Sequence, residues 1–180
     1  MEPGFIIDLL TGLGFIDPAL AERAVDYLLA WPQTYGFDTI LVPAVRLLTE
    51  RATGRDGATV QRLRAACLEH LRARIAEPLE PPHDWARASA LACQCADCRQ
   101  LSRFLADPDQ PKWVFKVPEA RRKHVQESSQ RNGCDLDFRT ERVSRPYSLT
   151  GTKNQASYDR RAKQRREDLD NLARLNVTLG

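Results

Sequence analysis

Three cysteines fall close together in the segment ACQCADC, at Cys93, Cys95 and Cys98, and a histidine and a further cysteine follow at His124 and Cys134. Nothing else in the sequence constrains the fold as tightly. Thiols gathered this closely end as a metal site, as disulfides or as buried apolar groups, and each outcome needs a different structure around it. The chain has five cysteines, the other being Cys67, and an odd total fits disulfide pairing poorly. The first residues carry acidic Glu2 where a secretory signal would carry positive charge. Metal binding is therefore the favoured chemistry, and the cytoplasm is the expected location.

Structural zinc takes four Cys or His donors in a tetrahedron, and a C-x2-C pair presents two thiolates on one tight turn. Cys95 and Cys98 have that spacing. The expected ligand set is Cys95, Cys98, His124 and Cys134, with the histidine on a helix and the last cysteine at the start of a strand. Cys93 lies two residues from Cys95 and can exchange roles with it. The 25 residues between Cys98 and His124 match no standard zinc finger, so two other readings stay open. In one, Cys98 and Cys134 are buried apolar side chains and His124 caps a surface helix; in the other, the CxxC pair is redox-active. Cys67 and His70 read as packing residues, and His83, between Pro82 and Asp84, reads as a linker residue.

Periodicity divides the chain near Pro81. Before it, Phe5, Ile6, Leu9, Leu10 and Leu13 repeat at helical spacing as far as Gly14, and Asp17-Pro18 is an N-cap followed by proline at the first helical position. A second helix carries Leu20, Ala24, Leu28 and Leu29 and ends at Trp31-Pro32. A third runs from a cap at Asp38 to about Ala52, with a break over Gly54 to Gly57. A fourth runs from about Thr59 to Ala76 with Leu63, Cys67 and Leu71 on one face, closed by Pro78, Pro81 and Pro82. Beyond Pro81, Leu101, Phe104 and Leu105 mark a short helix ended by Asp107-Pro108. Trp113 to Val117 alternates as a strand, Pro118 starts a helix to about Gln130, and Cys134 to Val143 alternates again. Ser144-Arg145-Pro146 is a turn, Tyr147 to Lys153 can return as the partner strand, and a last helix spans about Gln155 to Asn176.

The expected fold is mostly α: an N-terminal helical bundle or solenoid end over residues 1–82, then a small α+β zinc-binding module with a long C-terminal helix over residues 83–180. At 42% hydrophobic and 28% charged, the composition is that of a folded domain, not a disordered chain. No apolar run approaches the roughly 18–20 residues that cross a bilayer.

Charge separates the same two parts. Residues 1–90 hold 9 Arg against 12 Asp and Glu, a balance of −3, whereas residues 91–180 hold 18 Lys and Arg against 12 Asp and Glu, a balance of +6. A basic half suits phosphate-bearing partners. Arg121, Arg122, Lys123, Arg160, Arg161 and Lys163 are the candidate nucleic-acid contacts, although an amphipathic packing helix with a solvated basic face is the favoured reading of the C-terminal helix. Aromatic residues that could stack bases are few, so docking to a protein partner ranks ahead of nucleic acid. No phosphate loop, GxSxG, HExxH or Ser/His/Asp pattern appears, and the chain reads as non-catalytic.

The run CADCRQLSRFLADPDQPKWVFKVPEARRKHVQ, then CD, then RPYSLTGTKNQASYDRR, resembles a C-terminal region of large fungal and bacterial proteins, some of which carry a 2-oxoglutarate and iron(II) dependent oxygenase domain of the prolyl-hydroxylase type. The resemblance covers roughly residues 85 to 175. Its recurring positions map onto Cys95, Cys98, Phe104, Leu105, Asp107, Pro108, Arg121, Arg122, His124 and Cys134, which implies the same ligand set. It also implies an accessory tail without the oxygenase core, since His70, His83 and His124 supply no HxD pair. The chain then resembles a fragment or stand-alone copy of that tail.

Overall fold

The structure, a computed structural model, describes residues 2–51 and 57–176. It is mostly helical with one small antiparallel sheet, as the periodicity predicts. The chain divides into two compact units. Residues through Pro78 together with those from Lys163 onward form the first, and Leu79–Ala162 form the second. The C-terminal helix is thus divided, its first residues grouping with the expected metal module and the rest with the N-terminal helices.

The first unit begins with α1 (Pro3–Ile16), which runs past Gly14. Asp17 both ends α1, through its N–H to the Leu13 carbonyl at 2.8 Å, and caps α2 (Pro18–Ala30), through its carboxylate and the Ala19 N–H at 2.9 Å. Helix α2 buries Ala21, Val25 and Leu28, and Ala24 and Leu29 of the expected stripe pack against the same core, while Leu20 is left exposed. Phe37–Leu41 form a π-helical turn that passes directly into α3 (Val42–Arg51), so Asp38 lies inside the turn and not at a cap. The break expected at Gly54 lies outside the described residues. Helix α4 (Ala58–Ala76) places Leu63, Cys67 and Leu71 in a core with Ile6, Val25 and Leu41. Asp38 meets α4 at Arg74, whose guanidinium also holds the buried Asp168 of α7 (Ala156–Asn176).

The second unit contains α5 (Ala96–Ala106), β1 (Lys112–Lys116), α6 (Glu119–Arg131), β2 (Leu136–Glu141) and β3 (Ser148–Lys153). The strands are antiparallel in the order β1-β3-β2, so the β2–β3 hairpin takes β1 on the other side of β3. Gly151 faces Trp113 in one register and Phe138 in the other, and a Cβ there would come 3.3 Å from the Phe138 ring. A glycine lets the two rings close over the strand. Alternation along β1 turns Trp113 and Phe115 inward, where they stack at 4.6 Å and pack with Leu101, Leu105, Val125 and Leu149. This core seats α5 and α6 beside each other. The Arg145–Pro146 peptide in the hairpin turn is cis. Among the described residues, no helix is long and apolar enough to cross a membrane.

Candidate metal centre

The segment leading into α5 is anchored by Leu91, which is buried in the second core and whose carbonyl accepts from the Gln94 side chain. The chain then passes Cys93 and reaches Cys95, the N-cap residue of α5 in extended backbone geometry. The Cys95 sulfur accepts the backbone N–H of Cys98 at 3.4 Å. The C-x2-C spacing is thus one helix-initiating turn in which sulfur replaces the usual oxygen cap. Helix N-termini favour negative charge, so the Cys95 thiol at the cap stands where a thiolate is stabilised.

His124 reaches the same point from α6. Its Nε2 lies 3.4 Å from Cys93 Sγ, 3.4 Å from Cys95 Sγ and 3.3 Å from Cys98 Sγ. One ring nitrogen has either one hydrogen or one lone pair, so it cannot bond three sulfurs at once. Near-equal spacing of this kind is what donors adopt around a shared centre. The four donor atoms all lie within 4.8 Å of one another, and the four side chains form a group that could hold a metal ion. All the cysteines are free thiols.

The surroundings prepare the donors unequally. The Cys95 thiol is drawn down to about 6, chiefly by the Cys98 N–H and then by its neighbours Cys98, Cys93 and His124. Burial pushes Cys98 up to about 11, opposed by the Ser128 hydroxyl one helical turn beyond His124 on α6. Asp97, between these cysteines, forms a two-point ion pair with Arg121 of α6, with Nε to Oδ2 at 2.8 Å and Nη2 to Oδ1 at 2.5 Å. Arg121 holds the Asp97 carboxyl below its ordinary range, and its guanidinium also lies over the Phe115 ring at 5.8 Å.

Cys95, Cys98 and His124 come together as expected, but Cys93, and not Cys134, supplies the third thiol of the cluster. The reason is helix rise. Cys134 follows α6, which ends at Arg131, and seven residues at about 1.5 Å each carry the chain roughly 10 Å along the axis from His124. Gly133, at φ 60°, then turns the chain toward β2, and Cys134 packs at the edge of the second core beside Ser129. The signal for Cys93 was its place in CxCxxC, which brings three thiols to one turn with almost no loop to close.

The basic candidates are placed very differently from one another. Arg121 is paired with Asp97. Arg122 is buried, donating from Nη1 to the carbonyls of Val117 at 2.7 Å and Tyr147 at 2.9 Å. Lys123, Arg160, Arg161 and Lys163 are exposed, with Lys123 and Lys163 loosely paired to Glu127 and Glu167. His70 stacks on Phe37 at 4.3 Å and His83 lies 3.5 Å from Glu80, so neither approaches the cysteines' donor group. Compared with protein-family models, curated proteins and solved structures, the chain matches none.

Proposed function

We propose that the chain is a zinc-stabilised, non-catalytic accessory module that docks a protein partner, of the kind the motif resemblance implies for the tail of a larger protein. The observation that carries the reading is the position of His124 Nε2, 3.3–3.4 Å from each of three thiol sulfurs. A tetrahedral zinc with Zn–N near 2.0 Å and Zn–S near 2.3 Å separates N from S by about 3.5 Å. Three thiolates and one imidazole are a common structural donor set for zinc, and four protein donors leave none of the open coordination that catalytic zinc retains. Chain entropy supports a structural role, because the ion ties the turn at Cys93–Cys98 to α6 across the long intervening loop.

Protein docking is favoured over a nucleic-acid track because two of the six candidate cations are already engaged within the unit, Arg121 by Asp97 and Arg122 by backbone carbonyls. Protein purified under reducing conditions is expected to hold one zinc ion per chain, with zinc content and thermal stability falling together in Cys98→Ser and His124→Ala. Purified protein that is fully folded without metal would sink the reading.

A further inference from the structure

Helix α6 has a second functional face. Helical spacing puts Arg121, His124 and Ser128 on the metal side and Glu119, Arg122, Lys123 and Gln126 on the opposite side. The latter four line a pocket of about 280 Å³ together with Arg142 and Tyr147 from the end of the β2–β3 hairpin. All of these residues belong to the second unit.

Arg122 is the unusual member. It is 6% exposed, yet its partners are two neutral carbonyls and the face of Tyr147, 5.6 Å away, with no carboxylate among the described residues. Buried charges in proteins are ordinarily paired, because an uncompensated ion loses its hydration without return. Arg74 pairs with Asp38 and Asp168 and Arg121 with Asp97, whereas the other buried arginine, Arg64, donates like Arg122 to a backbone carbonyl, that of Leu175. Arg142, exposed at the rim, has no carboxylate partner among the described residues either. Lys123 is held only at 3.8 Å by Glu127. Pro118 offers no side-chain cap, so the first turn of α6, at Glu119, adds the positive end of the helix.

We propose that this pocket binds the phosphate of a phosphomonoester, with Arg122 as the fixed floor and Lys123 and Arg142 closing on the oxygens from the rim. Three cations against the single carboxylate of Glu119 leave two positive charges. A phosphomonoester carries about −1.5 to −2 at neutral pH, whereas a nucleic-acid diester carries one negative charge per phosphate. The small volume suits one terminal phosphate, and a track of successive diesters would need an open groove. The larger hollow in the same unit, about 570 Å³, lacks this imbalance, since Arg87 and Lys153 there face Asp84 and Asp159. The proposal goes beyond the metal reading and does not depend on which ion His124 holds.

The test is a titration of the full, metal-replete chain with phosphoserine, inorganic phosphate and dimethyl phosphate, following the Arg122 Nε–H and the α6 amides by NMR at constant ionic strength. Phosphoserine and inorganic phosphate are expected to shift these signals saturably, and dimethyl phosphate to bind far more weakly. Tighter binding of a phosphoserine peptide than of inorganic phosphate would assign the source to a phosphorylated protein; equal binding would assign it to free phosphate. Arg142→Gln should weaken binding roughly tenfold or more, as expected for loss of a charge-assisted bond, and Glu119→Gln should strengthen it. Both changes are at the rim, so folding does not confound them as Arg122→Lys would by disturbing a buried group. Metal content measured on the same samples separates loss of the pocket from loss of the metal centre. The proposal is overturned by the absence of saturable shifts, by unchanged binding in Arg142→Gln, or by equal or tighter binding of dimethyl phosphate or of a single-stranded RNA lacking terminal phosphate.

Discussion

Arg121 holds Asp97 through two hydrogen bonds, at 2.8 and 2.5 Å, joining the residue before Cys98 to the residue three before His124. The pair fixes the separation of α5 and α6 at the point where their donors meet. Arg121→Ala is therefore expected to lower metal affinity several-fold by competition with a chelator, while leaving the ligand set unchanged. Unaltered affinity would show that core packing alone sets the geometry.

The assignment of Cys93 over Cys134 separates two single variants. Cys93→Ser should lose metal or bind it far more weakly, since three strong donors replace four. Cys134→Ser should retain full metal content and lose only packing at the edge of the second core. The reverse pattern, read as metal per chain, would restore the sequence-based ligand set.

Several helix boundaries and the strands were legible because local chemistry states them: Asp17-Pro18 starts α2, Asp107-Pro108 follows α5, and Trp113 and Phe115 lie two apart between Lys112 and Lys116. The ligand set was legible only in part. Three of its members follow from donor type, but choosing between Cys93 and Cys134 required the tertiary placement of the chain after α6, because the helix end near Arg131 was itself legible at about Gln130. Other features depend on tertiary contacts and leave no local pattern. These include the burial of Arg122, which reads as one basic residue in ARRKH, the π-helical turn at Phe37–Leu41, and the insertion of β3 between β1 and β2.

Removing the metal should affect the two units unequally. Hydrogen exchange after chelation is expected to accelerate in α5 and α6, while amides of α1, α2 and α4 change little. Thiol alkylation gives a parallel readout. Cys93, Cys95 and Cys98 should become reactive, whereas Cys67, buried in the first core with its thiol pushed up to about 12, should stay unmodified until that unit unfolds. Simultaneous loss of protection in both units would contradict separate cores.

The first unit has its own acid response. Arg74 holds the Asp38 carboxyl below its ordinary range, chiefly through their hydrogen bonds. The folded value is depressed, so the stabilisation is complete above the unfolded carboxylate value of about 4 and is lost as pH falls through the folded one. Asp38 is partly exposed, which limits the contribution to about 1 kcal/mol. Asp38→Asn should accordingly lower thermal stability at pH 7 and make little difference at pH 2. An equal loss at both values would locate the effect in packing, not charge.

The proposed zinc centre takes its four donors from Cys93, Cys95, Cys98 and His124, which lie together as a group that could hold a metal ion. X-ray absorption at the zinc edge of the purified protein measures that donor set directly. Three sulfur scatterers at about 2.3 Å and one nitrogen at about 2.0 Å are expected. A shell of four sulfurs, two or fewer sulfurs, or added oxygen donors would contradict that donor set.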